Sequence, residues 1–200
     1  MRIAGGEFRG RVLLVPKSGE IRPTQDRVRE ALFSMLMNAV PGADFLDLFA
    51  GSGAVGFEAL SRGAKSAVFV ERNPRHADII VKNAATLLGN ARASAASVIR
   101  ADAYAFIERY AGSGFDIVFA DPPYALGDER GYDGVLDTLA RRGVVRPGGI
   151  FVAETAANTA LAEPTGWTLL RDRTYGKSRI AMWRRALSSS SPDSHEGAES

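Results

Sequence analysis

The segment running from Phe45 to Gly63 leaves few folds open to this chain. Phe45-Leu46-Asp47-Leu48-Phe49 is a short apolar run with aromatic residues, which reads as a buried β-strand. Ala50-Gly51-Ser52-Gly53-Ala54-Val55-Gly56 follows at once, and Phe57-Glu58-Ala59-Leu60-Ser61-Arg62 then reads as a helix ending on a left-handed Gly63. A buried strand, a glycine turn and a helix in that order form the first half of a β-α-β crossover, so a mostly parallel sheet covered by helices is expected. Glycines in such a turn let a ligand approach the backbone and the helix N-terminus closely.

Three further strands end on acids. Ser66-Ala67-Val68-Phe69-Val70 leads to Glu71, about 20 residues beyond the glycine turn, where a carboxylate can accept from ribose hydroxyls. Ala95–Arg100 leads to Asp102, placed to read an adenine amino group. Phe115-Asp116-Ile117-Val118-Phe119-Ala120 leads to Asp121-Pro122-Pro123-Tyr124, where two prolines force the chain off the strand. Ligands of open parallel sheets bind at the carboxyl ends of strands, so Asp47, Glu71, Asp102 and Asp121 converge on one crevice. Gly51-x-Gly53-x-x-Gly56 also fits a dinucleotide fingerprint, so the turn implies an adenosine-containing cofactor without choosing between S-adenosylmethionine and a nicotinamide.

Asp121-Pro122-Pro123-Tyr124 favours the first. An exocyclic amino nitrogen is a poor nucleophile because its lone pair is delocalised into the ring. Acceptors aimed at its N–H groups expose that lone pair, and the Asp121 carboxylate and Pro122 carbonyl are suited to this, with Tyr124 stacking on the base. The target base must leave any stack to enter such a site.

Asp47-Leu-Phe-Ala-Gly-Ser-Gly53, Glu71, Asp102 and Asp121-Pro-Pro-Tyr124 resemble the class I S-adenosylmethionine-dependent methyltransferases. Arg2-Ile-Ala-Gly-Gly-Glu-Phe-Arg-Gly-Arg11 and Arg22-Pro-Thr-Gln-Asp-Arg-Val-Arg-Glu30 narrow the resemblance to the RsmD family, bacterial enzymes that methylate N2 of guanine 966 in 16S rRNA; it extends from about Arg2 to Arg185. It implies a doubly wound, Rossmann-like, mostly parallel seven-stranded sheet with an antiparallel C-terminal hairpin and a small N-terminal extension. The implied cofactor contacts are Asp47, Phe49, Gly51, Gly53, Glu71, Asp102, Ala103 and Asp121, and the implied catalytic residues are Asp121, Pro122 and Tyr124. The partner implied is 16S rRNA or the small ribosomal subunit, engaged by a monomer. A DNA adenine-N6 methyltransferase, a nicotinamide-dependent oxidoreductase and a non-catalytic RNA-binding factor are the competing readings.

Charge bears on the nucleic acid. Residues 1–187 carry all 25 Lys and Arg but only 20 of the 23 acids. Arg2, Arg9, Arg11, Lys17, Arg22, Arg27 and Arg29 crowd the first 30 residues, and Arg171, Arg173, Lys177, Arg179, Arg184 and Arg185 crowd the last stretch before the tail. Arg9, Arg11, Arg22, Arg27 and Lys177 are the candidate RNA contacts, and the two basic ends are expected to form one docking surface. The chain has no cysteine, which excludes disulfides, thiolate metal sites and a thiolate nucleophile. No metal is implied, and neither His76 nor His195 receives a role. No apolar run approaches the roughly 18 residues of a membrane span, so a cytoplasmic protein is expected.

Residues 1–22 read as a basic, hairpin-like extension with Val12–Val15 as a strand-like piece, 23–186 as the methyltransferase domain, and 187–200 as a disordered tail. Thr24 is expected to cap a helix with Val28, Leu32, Met35 and Leu36 on its apolar stripe. Asn73-Pro74 opens a helix that runs to Gly89, and 133–142 form another ending at Gly143. Pro147-Gly148-Gly149 reads as a turn before the strand Ile150–Glu154, and strands 167–175 and 178–185 are joined at Gly176-Lys177.

Overall fold

The computed structural model describes residues 1–16, 23–122, 131–161 and 164–187, apart from the side chains of 23–25 and 131–133. Its sheet has seven strands: β1 (Asp44–Leu48), β2 (Ser66–Val70), β3 (Ala96–Ile99), β4 (Phe115–Ala120), β5 (Val145–Ala156), β6 (Trp167–Tyr175) and β7 (Ser178–Arg185). Their order is β3-β2-β1-β4-β5-β7-β6. β1 to β5 are mutually parallel, while β7 runs antiparallel to both β5 and β6. The order reverses between β1 and β4, so the crevice opens where the chain crosses from one half of the sheet to the other.

Period-two alternation divides each central strand between two cores. Phe45, Ile117, Phe119 and Val152 face one side, where they meet α1 (Pro23–Met35), α2 (Ala54–Ser61), α3 (Pro74–Leu88) and the N-terminal segment. Leu46, Leu48, Val118, Phe151 and Ala153 face the other, beneath α4 (Ala103–Arg109) and α5 (Gly131–Arg141). By the same alternation Asp47, Asp121 and Glu154 all belong to the first side.

Local signals placed most elements. Asn73 caps α3 by accepting from the Arg75 N–H at 3.0 Å, with Pro74 at the first helical position. Gly176 turns the β6–β7 hairpin at φ 60°. Other boundaries moved. α2 begins at Ala54, not Phe57, because Gly53 is its left-handed N-cap. α1 begins at Pro23, so Thr24 lies inside the helix and not at its cap. β3 shrinks to Ala96–Ile99, and α5 covers Gly131–Arg141. Pro147-Gly148-Gly149 does not precede β5 but lies within it, as a bulge. Phe115 pairs with Val145 and Ile117 with Ile150, so the extra residues of β5 are looped out of the ladder.

Val12–Val15 forms no strand; a single antiparallel bridge joins Arg2 and Val12. The segment is held instead by side chains of the helices below it. Glu58, fully buried on α2, accepts from the N–H groups of Ala4 and Gly5 at 2.8 Å each. Ser61 accepts from the Phe8 N–H and donates to the Gly5 carbonyl. Asn83 of α3 accepts from the Leu14 N–H and donates to the Leu14 carbonyl. Ile3, Phe8 and Leu13 complete the core beneath.

Glu58 also pairs with Arg62 at 2.8 Å and lies 3.5 Å from the buried Arg29 guanidinium. Removing one member of a buried pair strands the other, at a cost of about 3–5 kcal/mol. Glu58→Ala is therefore expected to lose about that much in urea denaturation, while Arg62→Ala, whose side chain is partly exposed, loses less. Equal losses in the two variants would refute a Glu58-centred node.

Candidate active site

The β1–α2 turn is shaped by three constraints. Gly53 sits at φ 79° as the helix cap. Gly56 packs flat on β2, where an added Cβ would stand 2.3 Å from the Phe69 ring. Phe49 holds a φ of 64°, the sole positive value at a non-glycine position among the described residues. Two acids then fasten the turn: Asp47 accepts from the Gly56 N–H at 3.0 Å, and Glu71 accepts from the Gly51 N–H at 2.8 Å and the Asn73 N–H at 2.7 Å. Asn83 reaches the same turn by donating to the Ser52 carbonyl.

Two cavities meet at Phe49 and Asp121. The larger, about 540 Å³, is lined by Glu71, Asp102, Ala103, Tyr104 and Pro122 among others. Asp102 caps α4 with one oxygen, accepting from the N–H groups of Tyr104 and Ala105. Expected solely as a base reader, it is thus also a helix cap. The smaller cavity, about 260 Å³, is lined by Asp47, Gly51, Ser52, Asp121 and Glu154 from the sheet side and by Met1, Val15, Pro16 and Arg29 from the other.

Electrostatics set the second cavity apart. Burial pushes Asp47 up to about 7 even though the Gly56 N–H favours its charged form, and Asp121 and Glu71 add repulsion. Asp121 is exposed toward the crevice, yet the protein packed around its carboxyl pushes it up to about 7, with repulsion from Glu154 contributing. Glu154 is raised as well by burial, against a hydrogen bond from Ser178. Such a cluster suits a ligand that brings positive charge and N–H donors. S-adenosylmethionine, with a sulfonium and an ammonium, fits its Asp47 end, which Gly51 also lines; a pyrophosphate would bring two negative charges against the same acids, which disfavours a nicotinamide dinucleotide.

Of the residues expected at the site, Asp47, Phe49, Gly51, Glu71, Asp102, Ala103, Asp121 and Pro122 line the two cavities, and Gly53 shapes the turn behind them. Tyr124 and Arg22 lie outside the described residues. Arg9, Arg11, Arg27 and Lys177 are exposed. Not every basic residue of the two ends is available to the single surface expected. Arg29 is buried, and β7 runs antiparallel to β5, so Arg184 sits opposite Ile150 at the far end of the sheet while Ser178 sits opposite Ala156 near the crevice. Arg179 is bound to Asp172 at 2.6 Å. Glu154, Arg29, Glu58 and Asn83 escaped the sequence reading. Asn83 was legible as a polar residue on the buried stripe of α3 beside Ile80 and Leu87, and Glu154 as one more acid closing a central strand.

The strand order, the glycine turn fastened by two acids and Asp121-Pro122 beside it define a class I S-adenosylmethionine-dependent methyltransferase. A Streptococcus mutans protein described as a SAM-dependent methyltransferase shares the fold at TM-score 0.64 and 15% identity, covering 82% of this chain and 49% of that one. The chain belongs to the family described as Conserved hypothetical protein 95, the RsmD family, whose model matches residues 1–184. It is 37% identical over 187 residues to the ribosomal RNA small subunit methyltransferase D of Escherichia coli, covering 92% of this chain and 90% of that protein. The solved structure of the Escherichia coli protein yhhF superposes at TM-score 0.80 and 34% identity, covering 94% of this chain and 98% of that one.

The two upward shifts have a thermodynamic consequence. A carboxyl whose folded value lies above its unfolded value favours the fold while protonated, and that contribution disappears as pH rises through the folded value. For Asp121 the window runs from the ordinary 3.8 to about 7. The ligand-free Asp121→Asn variant, which cannot ionise, should therefore gain stability relative to the parent as pH is raised from about 5 to about 8. Urea midpoints measured across that range test this; a difference independent of pH would contradict it.

Proposed function

We propose that the chain transfers a methyl group from S-adenosylmethionine to the exocyclic N2 amino group of a guanine in small-subunit rRNA, guanine 966 being the position the family resemblance implies. The observation that carries this reading is Asp121-Pro122 at the end of β4, lining the junction of the acid-walled cavity and the cavity containing Glu71 and Asp102.

When bound, S-adenosylmethionine supplies an electrophilic methyl group on a sulfonium sulfur. Glu71 and Asp102 are assigned to its ribose and adenine, and Asp47, together with the open backbone of Gly51, to its amino-acid end. The Asp121 carboxylate accepts from one N–H of the target amino group and the Pro122 carbonyl from the other. These two acceptors turn the nitrogen lone pair out of conjugation with the ring. Asp121 needs no great basicity before attack, because the nitrogen becomes acidic once alkylated and the carboxylate then receives its proton. Most of the acceleration comes from fixing this geometry, on the order of 7–11 kcal/mol in favourable intramolecular cases. Tyr124 is assigned to stacking on the extruded base.

A DNA adenine-N6 enzyme remains the second reading on the Asp-Pro-Pro-Tyr motif alone, since that motif describes the amino group and not the polymer. The exposed Arg9, Arg11 and Arg27 suit the phosphates of either polymer, and the name borne by the Escherichia coli relative supports RNA.

Asp121→Ala should abolish transfer to unmodified small subunits while leaving S-adenosylmethionine affinity within a few-fold in calorimetry; near-normal turnover at saturation would remove Asp121 from the chemistry. Each phosphate contact steepens the salt dependence of binding by close to one ion per contact. Neutralising Arg9, Arg11 and Arg27 to Gln should therefore weaken RNA binding and flatten its dependence on salt, with cofactor affinity unchanged. A wild-type salt slope would show that these charges serve only solvation.

A further inference from the structure

We infer that Glu154 is the residue that selects guanine, accepting a hydrogen bond from the N1–H of the target base while Asp121 accepts from the amino group beside it. The inference rests on the proposed function and goes beyond it, because the Asp-Pro-Pro-Tyr motif recognises an amino group without reading the rest of the base.

The sheet register carries the argument. Ala120 of β4 pairs with Ala153 of β5, so the next residues, Asp121 just past the end of β4 and Glu154 still within β5, lie side by side. Phe119 and Val152 lie in the core shared with α1 and α2, and Ala120 and Ala153 in the opposite core, so alternation sends both acids to the same face. Both line the smaller cavity. Ser178, opposite Ala156 on the antiparallel strand β7, lies close enough to favour the charged form of Glu154. No cation is paired with either carboxylate among the ion pairs of the described residues.

Two adjacent acceptors demand an edge that presents adjacent donors. Guanine has one: N1–H and N2–H₂ lie side by side on its Watson–Crick edge. Adenine offers its amino group beside a bare N1, and cytosine its amino group beside a bare N3. Each would set a lone pair against Glu154. A site built to receive an N–H rejects an analogue lacking it, because its own polar group is then left without a partner. Asp121 thus sets which group is methylated and Glu154 which base carries it.

The base analogue 2-aminopurine isolates the claim, since it keeps the exocyclic amino group of guanine but has an acceptor at N1. Small subunits would be reconstituted from unmodified rRNA carrying guanine or 2-aminopurine at the target position, and single-turnover methyl transfer measured for each. The parent protein should prefer guanine on the order of ten- to a hundredfold. Glu154→Gln, whose amide can donate to N1, should lose rate on guanine and bring the ratio close to one. Ser178→Ala should erode the ratio in the same direction by less. S-adenosylmethionine affinity should hold within a few-fold in both variants, which also reports that they fold. A ratio unchanged in Glu154→Gln overturns the inference and leaves the proposed function standing. A loss confined to cofactor affinity overturns it as well, by assigning Glu154 to the cofactor. A parent protein that transfers nothing to guanine-bearing subunits sinks the proposed function itself, and the inference with it.

Discussion

Two backbone-to-carboxylate hydrogen bonds hold the rest of the crevice in shape. Gly56 to Asp47 and Gly51 to Glu71 pin both ends of the β1–α2 turn to the ends of β1 and β2. They add to the bonds from the Ala50 N–H to the Val70 carbonyl and from Asn83 to the Ser52 carbonyl, and all are needed because glycines lose more conformational entropy on ordering than any other residue. Buried charge is expensive, and these acids are tolerated because backbone N–H groups and a waiting ligand share the burden of solvating them. The same desolvation that strains Asp47 makes the neighbouring wall responsive to cationic and N–H-bearing partners. Architecture and recognition are therefore served by the same oxygens, which explains why acids at strand ends were visible in the sequence as a group before any one of them had a certain role.

How far the sequence could be read depended on the range of the signal. β1, β2, β4 and the β6–β7 hairpin were legible because alternation, apolar runs and a glycine turn are written within a few residues. α3 was legible to its caps through Asn73, Pro74 and Gly89. The Pro147-Gly148-Gly149 bulge was not, because the same tripeptide serves equally as a turn, and only pairing with Phe115 and Ile117 decides between the two. Val12–Val15 has the composition of a strand, but its polar backbone is satisfied by Asn83 and by Met1, far away or across a bend. Asp102 was read as a ligand contact, and its position at a helix start also made it a cap. Glu58 and Asn83 were overlooked because each sits in an otherwise apolar stripe, where its purpose depends on a segment more than fifty residues away.

Basic composition was the weakest guide. A count of arginines near the two ends suggested one surface, but several of those counted are not free to join it. Antiparallel β7 carries its last arginines away from the crevice, Arg179 is engaged with Asp172, and Arg29 is withdrawn into the interior beside Glu58. What remains facing solvent is a smaller set, including Arg9, Arg11, Arg27 and Lys177. Charge acts through position, and position is a tertiary property.

The clasp formed by residues 1–16 has a kinetic side. These residues precede their partners Glu58, Ser61 and Asn83 in the chain, and the Leu14–Asn83 contact closes a loop of 69 residues. Contacts so distant in sequence form late, after the loop-closure entropy has been met by other elements. The start of the chain must therefore wait, with Ile3, Phe8 and Leu13 uncovered, until α2 and α3 have docked on the sheet. Met1, Val15 and Pro16 then close the wall of the smaller cavity. Residues made before their partners are thus among the last to be folded, and the pocket is completed by a segment that must wait for the helices it rests on.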